Sequence, residues 1–245
     1  MKVVAFIPAR YQSTRLPGKP LKDIGGKPMI QWVSERTALA KSVETVSVAT
    51  DDERIREAVE AYGGNVVMTS SSCLSGTERV AEAARDCGAD IIVNVQGDEP
   101  LVEPALIDDL VAPMLADSSI GLATPATLIK TEAEYLDTNT VKVVLDREGN
   151  ALYFSRSPIP NHRDGFRLDE YAIYKHIGLY VYRREVLEQL AALAPTPLER
   201  AEGLEQLRAL EHGIKIRVVM TTYSPESVDT PEDLERVRAA AAGLS

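Results

Sequence analysis

The chain predicts an α/β fold, a doubly wound and mostly parallel sheet with a smaller antiparallel lobe. Two patterns carry this expectation. In the first half, short unbroken apolar runs alternate with amphipathic segments joined by short connections, which is how right-handed crossover units read. After about residue 120 the apolar runs alternate more with polar residues and are separated by longer irregular stretches, so part of this half reads as antiparallel.

Residues 3–7 read as the first buried strand, followed by 45–50, 66–69 and 91–96. Helical patterns lie between them at 52–62 and 76–87. Thr50 stands three residues before Glu53 and Ser75 three before Glu78, both capping-box spacings, and Gly63 and Gly88 supply the stops. In the second half the strand-like runs are 141–145, 151–154, 177–182 and 214–220, and the polar stretch 161–170, with Asp164, Gly165 and Asp169, reads as a mobile surface loop. Thr196, Pro197 and Glu199 place a cap, a first-turn proline and a capping-box acid ahead of a helix ending at Gly213; Thr230, Pro231 and Asp233 repeat that grammar. No repeat, low-complexity tract or linker divides the chain, so residues 1–245 read as one domain.

At 245 residues, 44% hydrophobic and 26% charged, the chain can bury a large core and is too apolar for disorder. The 27 basic and 37 acidic residues leave a net charge of −10, which excludes a global positive field for nucleic acid. Cys73 and Cys87 form no C-x-x-C pair, and His162, His176 and His212 are scattered, which argues against structural zinc and a disulfide framework. No apolar stretch approaches the roughly 20 residues that span a bilayer, and the apolar run after Lys2 is short for a signal peptide. The expectation is a cytoplasmic protein without a membrane partner.

The first strand runs into Pro8-Ala9-Arg10-Tyr11-Gln12-Ser13-Thr14-Arg15-Leu16-Pro17-Gly18-Lys19-Pro20. In open parallel sheets ligands bind outside the carboxyl ends of the strands, so Arg10, Arg15 and Lys19 project from a binding edge. Arginine offers phosphate a planar fork and lysine a point charge, and Ser13 and Thr14 add neutral donors. Three loop cations therefore point to a polyphosphate; the alternative is a solvated basic loop on an acidic protein. The segment lacks the residues of a Walker A loop, and no G-x-G-x-x-G occurs. A later strand ends in Val95-Gln96-Gly97-Asp98-Glu99-Pro100, where Asp98 is the first candidate to hold a phosphate-bound Mg2+, its alternative being a turn cap ahead of Pro100.

The 8–21 loop, together with Ser75-Gly76-Thr77-Glu78-Arg79, the 94–100 and 141–146 segments, Tyr153-Phe154-Ser155-Arg156, His176-Ile177-Gly178, Leu204-Glu205-Gln206-Leu207-Arg208 and Val228-Asp229-Thr230-Pro231-Glu232-Asp233-Leu234, resembles the sugar cytidylyltransferases, specifically those acting on 3-deoxy-manno-octulosonate (Kdo). The resemblance covers nearly the whole chain in order. It implies a nucleotide-diphospho-sugar transferase-like fold in which 1–120 is the nucleotide-binding half and 121–245 mainly a sugar-binding and dimerisation lobe. It implies transfer of CMP from CTP to the anomeric hydroxyl of Kdo with release of pyrophosphate, activating Kdo for lipopolysaccharide synthesis, with Mg2+ as cofactor and a homodimer as the assembly.

By the same resemblance Lys19, Arg10 and Asp98 are catalytic, Asp98 and Asp229 bind metal, and Arg10, Ser13, Arg15, Lys19, Gly76 and Arg79 bind the nucleotide. Read alone, Arg79 is equally an exposed arginine in a first helical turn. Gln96, Arg156, His176, Tyr180, Glu205 and Gln206 fall at sugar positions, with Arg156 the natural carboxylate fork. Without the resemblance His176 reads as a satisfied strand-end histidine, and Glu205 and Gln206 as solvated helix positions. Residues 70–74 depart from the aspartate-histidine pair of many relatives, which bears on nucleotide-edge detail. Two alternatives stay open: a cytidylyltransferase for another acid sugar (8-amino-Kdo or sialic acid), and a non-catalytic nucleotide-binding module.

Overall fold

A computed structural model describes residues 1–12, 16–163, 165–168 and 170–243. The expectations for Ser13, Thr14 and Arg15, and for Asp164 and Asp169, fall outside these residues. The chain divides into two units, Met1–Val111 with Pro225–Ser245, and Ala112–Ser224.

The first unit opens with β1 (Val3–Ala9), a 3-10 turn (Lys19–Leu21), the short pair β2 (Asp23–Ile24) and β3 (Lys27–Pro28), and α1 (Met29–Ala38). It continues through β4 (Thr45–Thr50), α2 (Glu53–Ala61), β5 (Asn65–Met68), α3 (Gly76–Ala84) and β6 (Ile91–Asn94), and α4 (Pro104–Ala116) carries the chain across the boundary. Strands β5, β4, β1 and β6 lie side by side in that order, all parallel, with Ala5 opposite both Val46 and Val93. Residues Val3 to Ile7 are all buried, as expected of a strand covered on both faces. Because β4 and β6 flank β1 on opposite sides, the strand order reverses at β1, and the crevice at the carboxyl ends of β1 and β6 is the topological switch point where such sheets bind ligands.

The second unit holds β7 (Leu122–Leu128), α5 (Glu132–Leu136), β8 (Lys142–Leu145), β9 (Ala151–Ser155), β10 (Tyr174–His176) and β11 (Tyr180–Arg183). Helices α6 (Arg184–Ala192), α7 (Pro197–Glu202) and α8 (Gln206–Glu211) and strand β12 (Arg217–Met220) complete it. Strands β10 and β11 both pair antiparallel with β7, β10 also pairs with β8, and β8 pairs with β9. The antiparallel character expected here holds for these pairs, but β12 joins β7 in parallel. In the loop at 161–170, Phe166 and Leu168 pack against Ile129, Tyr135 and Ile173. The chain then returns to the first unit as α9 (Pro231–Ala241), whose Leu234, Val237 and Ala241 pack with Leu16, Ile24, Met29, Trp32 and Val228.

Several local expectations are corrected. Asp52, not Thr50, caps α2 by accepting from the Arg54 amide, while Thr50 is the buried last residue of β4. The single helix expected from Pro197 to Gly213 is two, because Gly203 takes a left-handed conformation (φ 63°) and closes α7. The run at 177–182 is not one strand. Ile177 donates to the carbonyl of Pro125 in β7, and proline has no N–H for the reciprocal bond, so the ladder breaks at 177–179 and resumes in β11. Residues 223–229, which carry Asp229, are irregular and are held by the Val228 amide donating to the Asp98 carbonyl (2.9 Å). The capping box at Thr230 forms in full, at Thr196 the Glu199 carboxylate accepts from the Thr196 amide (3.1 Å), and Ser75 caps α3.

Candidate active site

The loop after β1 is folded back so that the Gly18 amide donates to the Tyr11 carbonyl (3.1 Å). Gly18 has φ +67°, and a Cβ there would meet the Tyr11 ring at 3.2 Å, so only glycine suits this turn. The turn delivers Lys19, whose ammonium donates to Asp98 Oδ2 (2.8 Å), Asp229 Oδ1 (3.0 Å) and the Val228 carbonyl (2.9 Å). Burial opposes the charge on Lys19, but Asp98 and Asp229 outweigh it and its pKa is raised. Asp98 comes from the loop after β6, which passes so close to β1 that a Cβ on Gly97 would lie 2.9 Å from the Pro8 carbonyl oxygen. Asp229 is held from the other side, because its amide and that of Thr230 donate to Asp233 Oδ2 at the start of α9. Two aspartates distant in sequence thus converge on one cation at the switch point.

Beside Asp98, Glu99 is buried (6% exposed), and burial, then the Asp98 charge, pushes its carboxyl up to about 8. Gln96 is partly exposed and Gly76 opens α3. The Arg10 guanidinium donates to the Cys73 carbonyl (2.6 Å). Arg79 is not an exposed first-turn residue. It is 1% exposed, donates to Thr69 Oγ1 (2.6 Å) and pairs with Asp51 Oδ1 (3.3 Å), while its Nε is buried without a partner. Asp51 and Thr69 immediately follow β4 and β5, so Arg79 is anchored at the carboxyl edge of the sheet. Asn94 at the end of β6 is likewise buried with Oδ1 unpartnered.

In the second unit the Arg156 backbone and side chain are gripped together. Its amide donates to Glu202 Oε2 (2.9 Å), its Nε to the Glu202 carbonyl (2.8 Å) and one terminal nitrogen to the Thr138 carbonyl (3.2 Å). Lys142, fully buried, donates to the carbonyls of Arg156 (2.6 Å), Asp137 (2.8 Å) and Thr140. His176 lies with Nε2 2.9 Å from Thr124 Oγ1 and its ring centroid 5.0 Å from Phe154 and 5.5 Å from Tyr180. Burial pushes the His176 imidazole down to about 3 and, with the Tyr182 and Glu205 charges as smaller causes, pushes the Tyr180 phenol well above its ordinary value. Glu205 is exposed, whereas Gln206 is 7% exposed with its Nε2 unpartnered, so Gln206 is no solvated helix residue.

Sequence reading missed Lys142, Glu202, Thr124, Asp51 and Thr69. All but Asp51 and Thr69 act in part through backbone carbonyls or amides, which every residue carries, so no spacing marks them. Among the described residues no group of three or more His, Cys, Asp or Glu side chains could hold a metal alone. The Asp98 and Asp229 carboxylates are nevertheless a donor set that suits Mg2+, which binds one or two carboxylates and completes its shell with water and substrate phosphate.

A lysine set between two aspartates thus lies at the switch point of a doubly wound sheet, the edge where such sheets bind ligands. A family profile described as Cytidylyltransferase matches residues 4–216. The 3-deoxy-manno-octulosonate cytidylyltransferase of Geobacter metallireducens (strain ATCC 53774 / DSM 7210 / GS-15) is 58% identical over 245 residues, 97% of this chain and 96% of that protein. Its counterpart in Geotalea uraniireducens (strain Rf4) is 57% identical, covering 97% and 98%. A solved structure of CMP:2-keto-3-deoxy-manno-octonic acid synthetase complexed with CTP superposes with a TM-score of 0.94 at 46% identity over all of both chains. The chain belongs to the cytidylyltransferase family and, within it, to the 3-deoxy-manno-octulosonate cytidylyltransferases.

Proposed function

We propose that this chain transfers CMP from CTP to the anomeric hydroxyl of Kdo, giving CMP-Kdo and pyrophosphate. The observation that carries the chemistry is the Asp98–Lys19–Asp229 cluster. Displacement at the α-phosphorus needs charge neutralisation and alignment above all, and Lys19 supplies a fixed ammonium for the triphosphate. Asp98 and Asp229 would hold Mg2+, which when bound neutralises phosphate charge and acidifies the attacking hydroxyl. With Arg10, Ser13, Arg15, Gly76 and Arg79 they form the nucleotide site of this reading. Arg156 binds the sugar carboxylate, and Gln96, His176, Tyr180, Glu205 and Gln206 bind its hydroxyls. The same reading makes the protein a cytoplasmic homodimer acting in lipopolysaccharide synthesis.

Pyrophosphate release from CTP and Mg2+ tests it, with Kdo, 8-amino-Kdo and sialic acid run in parallel and Asp98→Ala as control. Release with Kdo that is lost in the variant supports the reading. Release with sialic acid alone moves the substrate, and silence with every acid sugar removes the activity.

A further inference from the structure

We propose that the Thr124 hydroxyl fixes His176 as the neutral tautomer protonated on Nε2, so that Nδ1 is presented as a hydrogen-bond acceptor to a hydroxyl of the bound sugar acid. The inference rests on the placement of His176 at the sugar site given above.

Thr124 is fully buried in β7, and its Oγ1 has three polar neighbours: the Leu179 carbonyl at 2.8 Å, the Ile177 carbonyl at 3.3 Å and His176 Nε2 at 2.9 Å. A hydroxyl has one proton to give. Both carbonyls can only accept, so the proton must point toward them, and the better partner is Leu179 O. Were it turned to His176 instead, Oγ1 would face two carbonyl oxygens at contact distance with lone pairs on both sides. With the proton committed to the carbonyls, Oγ1 can only accept from the ring, and Nε2 must carry hydrogen. In a neutral imidazole that leaves Nδ1 bare.

Both carbonyls lie where the ladder beside β7 opens: Pro125 cannot donate, and at 177–179 the Ile177 carbonyl takes the Leu179 amide (2.8 Å) while the Thr124 hydroxyl serves the Leu179 carbonyl. The rings of Phe154 and Tyr180 pack against the imidazole, and among the described residues no other group hydrogen-bonds it. A bare Nδ1 accepts from a hydroxyl and rejects a group that can only accept. Thr124 is thus a positioning residue, and His176 is the group that touches substrate.

Long-range 15N–1H correlation spectra of the free wild-type protein test the tautomer, with the three histidines assigned by His162→Asn and His212→Asn. The expected result is an unprotonated Nδ1 and a protonated Nε2 for His176, with the Nδ1 resonance moving upfield when CTP and Kdo are added. Thr124→Val is expected to mix the tautomers and raise KM for Kdo about tenfold, leave KM for CTP in place, and be rescued by Thr124→Ser. A free-state Nδ1–H tautomer, or a Thr124→Val variant with wild-type spectra and KM, overturns the proposal. An Nε2–H tautomer whose Nδ1 ignores Kdo also overturns it, and locates the fault in placing His176 at the sugar. Should Thr124→Val fail to fold, the wild-type and Thr124→Ser spectra still decide.

Discussion

Lys19 holds two carboxylates that would otherwise repel one another, so its replacement loosens the aspartates and, on the function proposed above, removes a phosphate ligand. Lys19→Met is expected to lower kcat at least about a hundredfold, the scale set by losing one preorganised charge donor, as read from steady-state pyrophosphate release. Cys73 is inert by construction. Burial and the neighbouring Glu82 push its thiol up to about 11, and its Sγ donates to Glu82 Oε2 (3.2 Å), whereas Cys87 is partly exposed. A thiol reagent at pH 8 is expected to label Cys87 and spare Cys73 in the folded protein, with both labelled in urea; mass mapping of the adducts checks this. At this scale the sequence was informative where side-chain charge does the work. Lys19 and Asp98 stand out as charged residues following buried strands. Lys142 and Glu202 do not, because a lysine answering three carbonyls looks like any other lysine in a strand.

At the scale of elements, α7 and α8 depend on a buried ion pair. Arg208 donates from Nε and a terminal nitrogen to both oxygens of Glu199 (2.8 and 2.6 Å), and a further terminal nitrogen reaches the Leu193 carbonyl. Arg208→Met leaves Glu199 buried and unpaired and is expected to cost about 3–5 kcal/mol in urea unfolding. Burial alone would raise the Glu199 carboxyl, but Arg208 and the Thr196 amide more than compensate, and it titrates below its ordinary value. That stabilisation is complete above the unfolded carboxylate value and disappears as pH falls through the lower folded one. The acid-side fall in the urea midpoint should therefore be shallower in Arg208→Met than in wild type.

Lys142 makes a second element-level prediction: Lys142→Met orphans three carbonyls, frees the grip on Arg156 and raises KM for Kdo while KM for CTP stays put. Helix starts were legible here because capping grammar is local, as at Thr196 and Thr230. The breaks at Gly203 and at 177–179 were not. The first depends on a glycine adopting φ > 0 inside an otherwise helical pattern, and the second on which strand pairs with Pro125.

Across the whole molecule, a chain of net charge −10 meets a polyanionic substrate, so its affinity for CTP has to come from local cations rather than from its overall field. The alternation of strands and helices is a property of long segments, which is why the doubly wound sheet could be read from the chain alone. The parallel partner of β7 could not, since register between distant strands leaves no local mark. Nucleotidyl transfer itself is measured directly by 31P NMR of the protein with CTP, Kdo and Mg2+. The predicted spectrum shows one phosphodiester and one pyrophosphate signal rising together as CTP disappears, absent without metal and absent for Asp98→Asn. Unconsumed CTP in the complete mixture, or CTP hydrolysed to free CMP with Kdo untouched, would contradict it.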